Sequence, residues 1–227
     1  MSVYARKREV SWCELILELF ISLFVYHYST HRLVLYLNII VLLMYIIIVK
    51  LKYIDISSKI VRFLSIVGFP ICAAISFILA IFYNSENRVL NIINNALNGR
   101  LILGKTAFKR YHVKAFGQHI ILHEGGEYFY IDCGYIYALL AYGVVLFIIV
   151  MVLYTFIHWY SCRKNEKELF VWITAQMIYT MINNVWLDLE AGTCLPIALV
   201  LFKLFINERN NKVNISTNTY QKDHLNL

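Results

Sequence analysis

The chain of 227 residues is too hydrophobic and too sparsely charged for a soluble globular protein. Hydrophobic residues make up 60% of it and charged residues 15%, and its mean hydropathy is +0.62, whereas roughly a quarter of the residues in a soluble domain are charged. The composition therefore excludes a soluble enzyme or binding domain. It predicts an all-α polytopic membrane protein in which residues 1–227 form a single integral membrane domain.

Six stretches are apolar enough over about 20 residues to be predicted as membrane-spanning helices. They are residues 12–28, 33–49, 60–83, 135–157, 168–187 and 194–206. No small-residue cleavage site follows the basic start of the chain, so we expect the first stretch to be a retained helix rather than a signal peptide. Glu14 and Glu18 lie one turn apart on this helix and are expected near its cytoplasmic end, at the level of the headgroups.

Basic residues in the short loops predict the orientation of the chain. With six spans, four basic clusters fall on one side of the membrane: Arg6, Lys7 and Arg8; Lys50, Lys52, Lys59 and Arg62; Arg163, Lys164 and Lys167; Arg209 and Lys212. The positive-inside rule makes that side cytoplasmic. We therefore expect a multi-pass protein of the cytoplasmic membrane with both termini in the cytoplasm. Residues 207–227 form its cytoplasmic tail, which we expect to be disordered.

Residues 84–134 are then an extracytoplasmic loop of about 50 residues with an unusual concentration of positive charge. Six basic residues and no Asp or Glu occur between Arg88 and His119. Long loops translocate largely regardless of charge, so the predicted topology permits this positive charge but does not explain it. The concentration of basic residues therefore indicates an anionic ligand at the outer face. Arginine and lysine suit the phosphate or pyrophosphate of a lipid carrier, and they suit the anionic headgroups of membrane lipid equally well. The outer location disfavours nucleic acid.

Short amphipathic helices are predicted inside this loop. Ser85 is a candidate N-cap for a helix that extends through Leu97, and the pair Asn98–Gly99 is typical of a helix end in the left-handed conformation. A second short helix is predicted at residues 105–111. A Gly-Gly pair at residues 125–126 favours a small hairpin.

The loop also contains candidate general bases for a sugar hydroxyl. These are His112, His119, His123, Glu124, Glu127 and Asp132. His119 and His123 have an i, i+4 spacing, but no third ligand accompanies them, so we predict no metal site. The five cysteines show no CxxC or Cys/His spacing. A disulfide between Cys133 and Cys194 is conceivable, and a role as small apolar fillers is favoured.

Polar residues gather at the predicted outer end of the fifth span, namely Asn183, Asn184, Asp188 and Glu190. Such side chains can bind sugar hydroxyls, although interfacial placement is the simpler explanation. Trp159, Trp172 and Trp186 indicate the aromatic belts at the two membrane surfaces.

The ordered motifs of the loop resemble those of Wzy-type polysaccharide polymerases, the polymerases of O-antigen, capsule and exopolysaccharide. They occur in the runs NNALNGRLILGKTAFKRYHVKAFGQHI and YFYIDCGYIYALLAYGVV. The family shows Leu-Asn-(Gly/Ser)-Arg-Leu, then Leu-Gly, Phe-Gly-Gln-x-Ile, Tyr-x-Tyr-Ile-Asp and Leu-Leu-x-Tyr-Gly in this order. The similar region, residues 94–145, corresponds to the C-terminal half of those longer proteins, so the resemblance implies a truncated or shortened member. The chain departs from the pattern at His112 and at Cys133-Gly134.

This resemblance implies a GT-C-like, metal-independent glycosyltransferase without a cofactor. It would join undecaprenyl-pyrophosphate-linked oligosaccharide repeat units at the outer face of the membrane, with a flippase and a chain-length regulator as further partners. Arg100 is implied to hold the pyrophosphate, and Gln118 and Asp132 are motif positions of unspecified role. We expect catalysis to depend on Arg100, His112, His119 and Asp132, and substrate binding on Arg88, Lys105, Lys109, Arg110, Lys114 and Gln118.

Two other functions stay open at this point. A lipid-linked oligosaccharide flippase or another transporter would place basic residues along a path through the spans, and only Lys203 lies deep in a late span. The other is a non-catalytic membrane remnant of a polymerase.

Overall fold

The structure is a computed structural model that describes residues 10–29, 32–121, 123–124 and 127–184. The regular secondary structure of the described part is helical apart from one short hairpin. In chain order the elements are α1 (Trp12–Ser29), α2 (Arg32–Tyr45) with a π-helical turn (Ile46–Lys50), α3 (Lys59–Ile81), α4 (Arg88–Ala96), α5 (Arg100–Arg110), β1 (His123–Glu124), β2 (Glu127–Tyr128), α6 (Gly134–Ala141), α7 (Gly143–Lys164) and α8 (Lys167–Thr180).

Two helices, α3 and α7, are long and apolar enough to cross a membrane. Their most apolar windows have mean hydropathies of 2.5 and 2.1, yet only 28% of each window is buried inside the protein. Large apolar side chains cover their exposed faces, among them Phe63, Ile71, Ile149 and Val152. Because apolar surface in water is unfavourable by about 25 cal/mol per Å², these faces suit lipid better than solvent.

The long helices are antiparallel, which defines two ends of the bundle. Phe69 stacks on Tyr154 with ring centroids 5.4 Å apart, and Phe77 contacts Phe147 at 5.8 Å. Helix α8 returns along α7, where His158 Nε2 lies 3.0 Å from the Thr174 hydroxyl. The C-terminus of α3, the start of α7 and the C-terminus of α8 therefore share one end, which we call the loop end.

The opposite end, which we call the basic end, contains the start of α3, the end of α7 and the start of α8. The basic residues of these termini are Lys59, Arg62, Arg163, Lys164 and Lys167. Helix α1 contributes Leu15 to an apolar cluster at this end with Tyr45, Ile48 and Phe170. Ser11 and Glu14 form a capping box at the start of α1: the Ser11 N–H donates to Glu14 Oε2 at 2.7 Å, and the Glu14 N–H donates to Ser11 Oγ at 3.2 Å.

The predicted spans agree with the helices in part. The first three correspond to α1, to α2 with its π-helical turn, and to α3. The fourth, predicted at 135–157, was wrong at its start, because the chain turns at Gly143 (φ 83°) and separates α6 from α7, which continues to Lys164. The fifth begins as predicted with α8, and the sixth, at 194–206, lies outside the described residues.

The loop contains the two predicted helices with shifted bounds. Asn87, rather than Ser85, caps α4, because its Oδ1 accepts hydrogen bonds from the N–H groups of Val89 and Leu90. The second helix begins at Arg100 rather than at residue 105. The left-handed end at Asn98 and the hairpin after residue 122 are confirmed, the hairpin as an antiparallel pairing of β1 with β2.

Candidate functional site

The Leu-Asn-Gly-Arg-Leu motif forms the turn between α4 and α5. Asn98 and Gly99 have φ angles of 52° and 83°, a left-handed region that Asn and Gly adopt most readily. The buried side chain of Asn94 accepts hydrogen bonds from the N–H groups of Leu101 (3.0 Å) and Ile102 (3.2 Å). It therefore caps α5 in place of Gly99, which has no side chain. This turn makes Arg100 the first residue of α5.

Helix α5 packs closely against α3 and α6 at Gly104. A Cβ at this position would lie 2.8 Å from Ile136 Cδ1 and 2.9 Å from Ala80 Cβ. Lys105 Nζ donates to the carbonyl oxygen of Tyr83, just beyond the end of α3, where a positive charge is favourable. Lys105 therefore holds α5 against α3, and a role in substrate binding stays a prediction.

The Phe-Gly-Gln motif packs directly on the Tyr-Gly of the last motif. Gly117 and Gly143 both have left-handed φ angles, of 82° and 83°. A Cβ on Gly117 would lie 2.2 Å from the Ala141 carbonyl oxygen, and a Cβ on Gly143 would lie 2.2 Å from the Gly117 nitrogen. Only glycine fits on either side of this contact, so two motifs that are separate in the sequence form one structural unit.

Gln118 fastens the same contact through its backbone and its side chain. Its N–H donates to the Ala141 carbonyl oxygen at 3.0 Å. Its Nε2 donates to the carbonyl oxygen of His112 at 2.7 Å. These bonds give Gln118 a structural role in holding the loop against α6, and substrate binding by Gln118 stays a prediction.

Arg100 and Asp132, from two different motifs, form an ion pair. Arg100 Nε donates to Asp132 Oδ2 at 3.0 Å, and the two side chains are 20% and 27% exposed. Arg100 Nη1 is buried and has no acceptor among the residues that the structure describes. Because a buried donor without an acceptor costs about 1–3 kcal/mol, the site fits a further oxygen acceptor, such as a phosphate oxygen.

The end of α8 and the turn that follows it bring a phenol and an amide close to Gly134, two residues after Asp132. The Tyr179 phenol oxygen accepts a hydrogen bond from Asn183 Nδ2 at 2.7 Å. Gly134 permits this approach, since a Cβ there would lie 2.8 Å from the Asn183 carbonyl oxygen. We call Arg100, Asp132, Tyr179 and Asn183 the Arg100 site.

The other predicted site residues lie on the surface of the loop. The exposed ones are Arg88, Lys109, Arg110, His112, Lys114 and His119. The Arg110 guanidinium lies over the Phe129 ring, 4.7 Å from its centroid. The structure thus brings Arg100 and Asp132 together and leaves the two histidines exposed, so their catalytic role stays a prediction.

Tyr179 was not predicted as a site residue. Its position four residues before Asn183, one helical turn away, could have indicated it. Cys133 adjoins the site, but burial raises the pKa of its thiol, which makes it a poor nucleophile at neutral pH. Within the described residues, no group of three or more His, Cys, Asp and Glu side chains could hold a metal ion. Comparisons with protein-family models, with curated proteins and with solved structures gave no match.

Proposed function

We propose that the protein is a Wzy-type polysaccharide polymerase, a multi-pass protein of the cytoplasmic membrane that joins undecaprenyl-pyrophosphate-linked repeat units at its outer face. The observation that supports this most is the Arg100–Asp132 ion pair, because each residue belongs to one of the ordered motifs that resemble the family. A guanidinium beside a carboxylate supplies an anion ligand for the leaving pyrophosphate and a proton acceptor for the attacking sugar hydroxyl.

The proposed transfer uses both members of the pair at once. The hydroxyl oxygen of the acceptor sugar attacks the anomeric carbon of the donor glycan. The bond between that carbon and the pyrophosphate oxygen breaks, and the lipid pyrophosphate leaves with the electron pair. Asp132 accepts the hydroxyl proton, while Arg100 keeps Nε on Asp132 and offers Nη1 to a phosphate oxygen. The Tyr179 phenol and the Asn183 amide are suited to sugar hydroxyls.

The distribution of charge on the long helices supports the proposed orientation. The charged residues of α3 are Lys59 and Arg62, and those of α7 are Arg163 and Lys164, so all four lie at the basic end. The positive-inside rule then puts the basic end in the cytoplasm and the Arg100 site at the outer face, where lipid-linked repeat units would be joined.

The same distribution favours a polymerase over a flippase or another transporter. A transporter of lipid pyrophosphates needs cationic groups along its path through the bilayer. The stretches of α3 and α7 between their termini contain no charged residue. The positive charge of the loop is instead gathered at one end of the bundle.

The test is polymer formation in cells that express this chain and make a polysaccharide. Arg100→Ala should abolish polymer and leave single lipid-linked repeats, because the anion ligand and the partner of Asp132 are lost. Arg163→Ala is the matched control at the basic end, since Arg163 is exposed and lies outside the Arg100 site, and it should leave polymer unchanged. Normal polymer from Arg100→Ala would refute the site. Normal polymer after deletion of the whole chain would favour the non-catalytic remnant.

A further inference from the structure

The segment that precedes Gly117 presents large apolar side chains away from the protein. Phe116 is 87% exposed and Val113 is 47% exposed. Two exposed apolar side chains on one short segment form a candidate contact surface. The backbone here is rigid because Gly117 and Gly143 are in direct contact.

Backbone hydrogen bonds attach this segment to the first turn of α7. The N–H groups of Val144 and Val145 donate to the carbonyl oxygens of Lys114 (3.0 Å) and Ala115 (3.1 Å). The first N–H groups of any helix lack partners within the helix, and in a membrane they must be satisfied by protein. The segment therefore caps α7 where that apolar helix begins.

This attachment sets the depth of Phe116 in the membrane. The side chains that follow on α7 are exposed and apolar, including Val145, Ile148 and Ile149. If α7 crosses the bilayer, its first turn lies at the boundary between headgroups and acyl chains. Phe116 is then held at the same boundary, where aromatic rings are favoured.

The charge beside Phe116 suits an anionic leaflet. Lys109 and Lys114 are both exposed, and no Asp or Glu occurs between Arg88 and His119. Basic residues beside an inserted apolar group are the combination that binds anionic membrane surfaces.

We propose that Val113 and Phe116 form a membrane anchor that inserts into the leaflet at the loop end, with Lys109 and Lys114 on anionic lipid headgroups. The anchor ties the loop to the bilayer that contains α7 and thereby fixes the height of the Arg100 site above the membrane. It requires that α7 crosses the membrane and does not require polymerase chemistry.

The test places a nitroxide label at position 116 of the full chain in vesicles of phosphatidylglycerol and phosphatidylcholine, in a background without other reactive cysteines. Labels at Ile149, on the exposed face of α7, and at Glu86, in the exposed turn before α4, serve as references for lipid and water. Collisions with oxygen and with a water-soluble nickel complex are then compared. Position 116 should lie between the two references, with collisions with the nickel complex several-fold fewer than at 86.

Each other outcome overturns a defined part of the proposal. If 116 resembles 86 while 149 stays in lipid, the anchor is wrong although α7 crosses the membrane. If 149 also resembles 86, α7 does not cross the membrane and the anchor fails with it. In vesicles of phosphatidylcholine alone, or in a Lys109→Ala, Lys114→Ala double variant, access of the nickel complex to 116 should rise several-fold; no rise would exclude the anionic headgroups.

A second measurement keeps the native cysteines. A photoreactive phenylalanine analogue at position 116 should form adducts with lipid on illumination, whereas the same analogue at position 86 should not. Equal yields of lipid adduct at the two positions would contradict the anchor even if the labelled cysteine variants did not fold.

Discussion

The two ends of the helix bundle are both rich in basic residues, yet they hold them in different ways. At the basic end, Arg163 and Lys164 lie over the rings of Trp159 and Tyr160, at 5.3 and 5.8 Å from the ring centroids. These are aromatic and basic contacts at a helix terminus, as expected where a helix leaves the membrane. The positive charge at this end is the signal on which the proposed orientation in the membrane rests.

At the loop end, Arg100 is paired with the Asp132 carboxylate. A buried guanidinium N–H without a described acceptor occurs at both ends, in Arg62 Nε and Arg100 Nη1. Arg62 donates to the Ser57 carbonyl oxygen at 2.9 Å, whereas Arg100 donates to the Asp132 carboxylate. Among the residues that the structure describes, a direct ion pair with a carboxylate is therefore what distinguishes Arg100 from Arg62.

Replacement of one arginine by lysine at each end should give the largest difference in polymer yield. Arg100→Lys keeps the positive charge but loses the planar fork that reaches Asp132 and a phosphate together, so polymer should fall by about 100-fold. Arg163→Lys should leave polymer unchanged, because any cation serves at the helix terminus. The measurement is polymer yield at matched protein levels in the membrane. Equal yields from the two variants would remove the distinction between the ends.

Replacement of the acid at the loop end should separate proton transfer from structure. Asp132→Asn keeps the size of the side chain and an oxygen acceptor for Arg100, but it cannot take up a proton, so we expect a loss of polymer of about 100-fold or more. Because the pair is partly exposed, stability should change by no more than about 1 kcal/mol. Transfer rate and thermal unfolding of the purified chain check both expectations. Full activity of Asp132→Asn would exclude Asp132 as the base.

The contact between Gly117 and Gly143 should be sensitive to the volume of an added side chain as well as to backbone conformation. Gly117→Ala adds a left-handed strain of about 1–2 kcal/mol and a Cβ 2.2 Å from a backbone oxygen. Gly99→Ala has the same strain, but its nearest neighbour would be 4.0 Å away. Unfolding of the detergent-solubilised variants should show a clearly larger loss of stability for Gly117→Ala. Equal losses would mean that the loop does not pack on α7 as described.

The smallest effect is expected at the basic end, at Asp55. The Ser57 hydroxyl and N–H both donate to Asp55 Oδ1, at 2.6 and 2.9 Å, and they hold the pKa of Asp55 below its ordinary value of 3.8. A carboxyl whose pKa is lower in the folded state stabilises the fold above its unfolded-state pKa and loses this effect as the pH falls through its folded-state pKa.

Asp55→Asn should therefore lower the Tm slightly near neutral pH, and its difference from the wild type should shrink below about pH 4. Thermal unfolding across pH measures this, with Glu86→Gln as the control at the other end. A difference that grows on acidification would contradict the assigned hydrogen bonds.

The parts of the fold that depend on residues adjacent in the sequence could be predicted from the sequence. The left-handed turn at Asn98–Gly99 and the hairpin depend on local backbone preferences, and α3 depends on a continuous apolar run. The break at Gly143 was missed because hydropathy averages over a window and does not register a single positive φ. The shifted start of α5 depends on the side chain of Asn94, which acts across a turn.

The candidate site depended on contacts that no local pattern encodes. Arg100 and Asp132 were named separately through the resemblance, but their pairing joins residues 32 apart in the chain. Tyr179 comes from α8, far along the sequence, and became visible only when α8 packed beside Gly134. Asp188 and Glu190, predicted beside Asn183, lie outside the described residues.

The most direct test of the central claim is glycan transfer by the purified full chain in proteoliposomes that contain lipid-linked repeat units. The wild type should lengthen the glycan and release one lipid pyrophosphate for each unit joined, and Arg100→Ala should do neither while it stays folded and inserted. If Arg100→Ala releases lipid pyrophosphate as fast as the wild type, or the wild type joins no units, the Arg100 site is not the site of polymerisation.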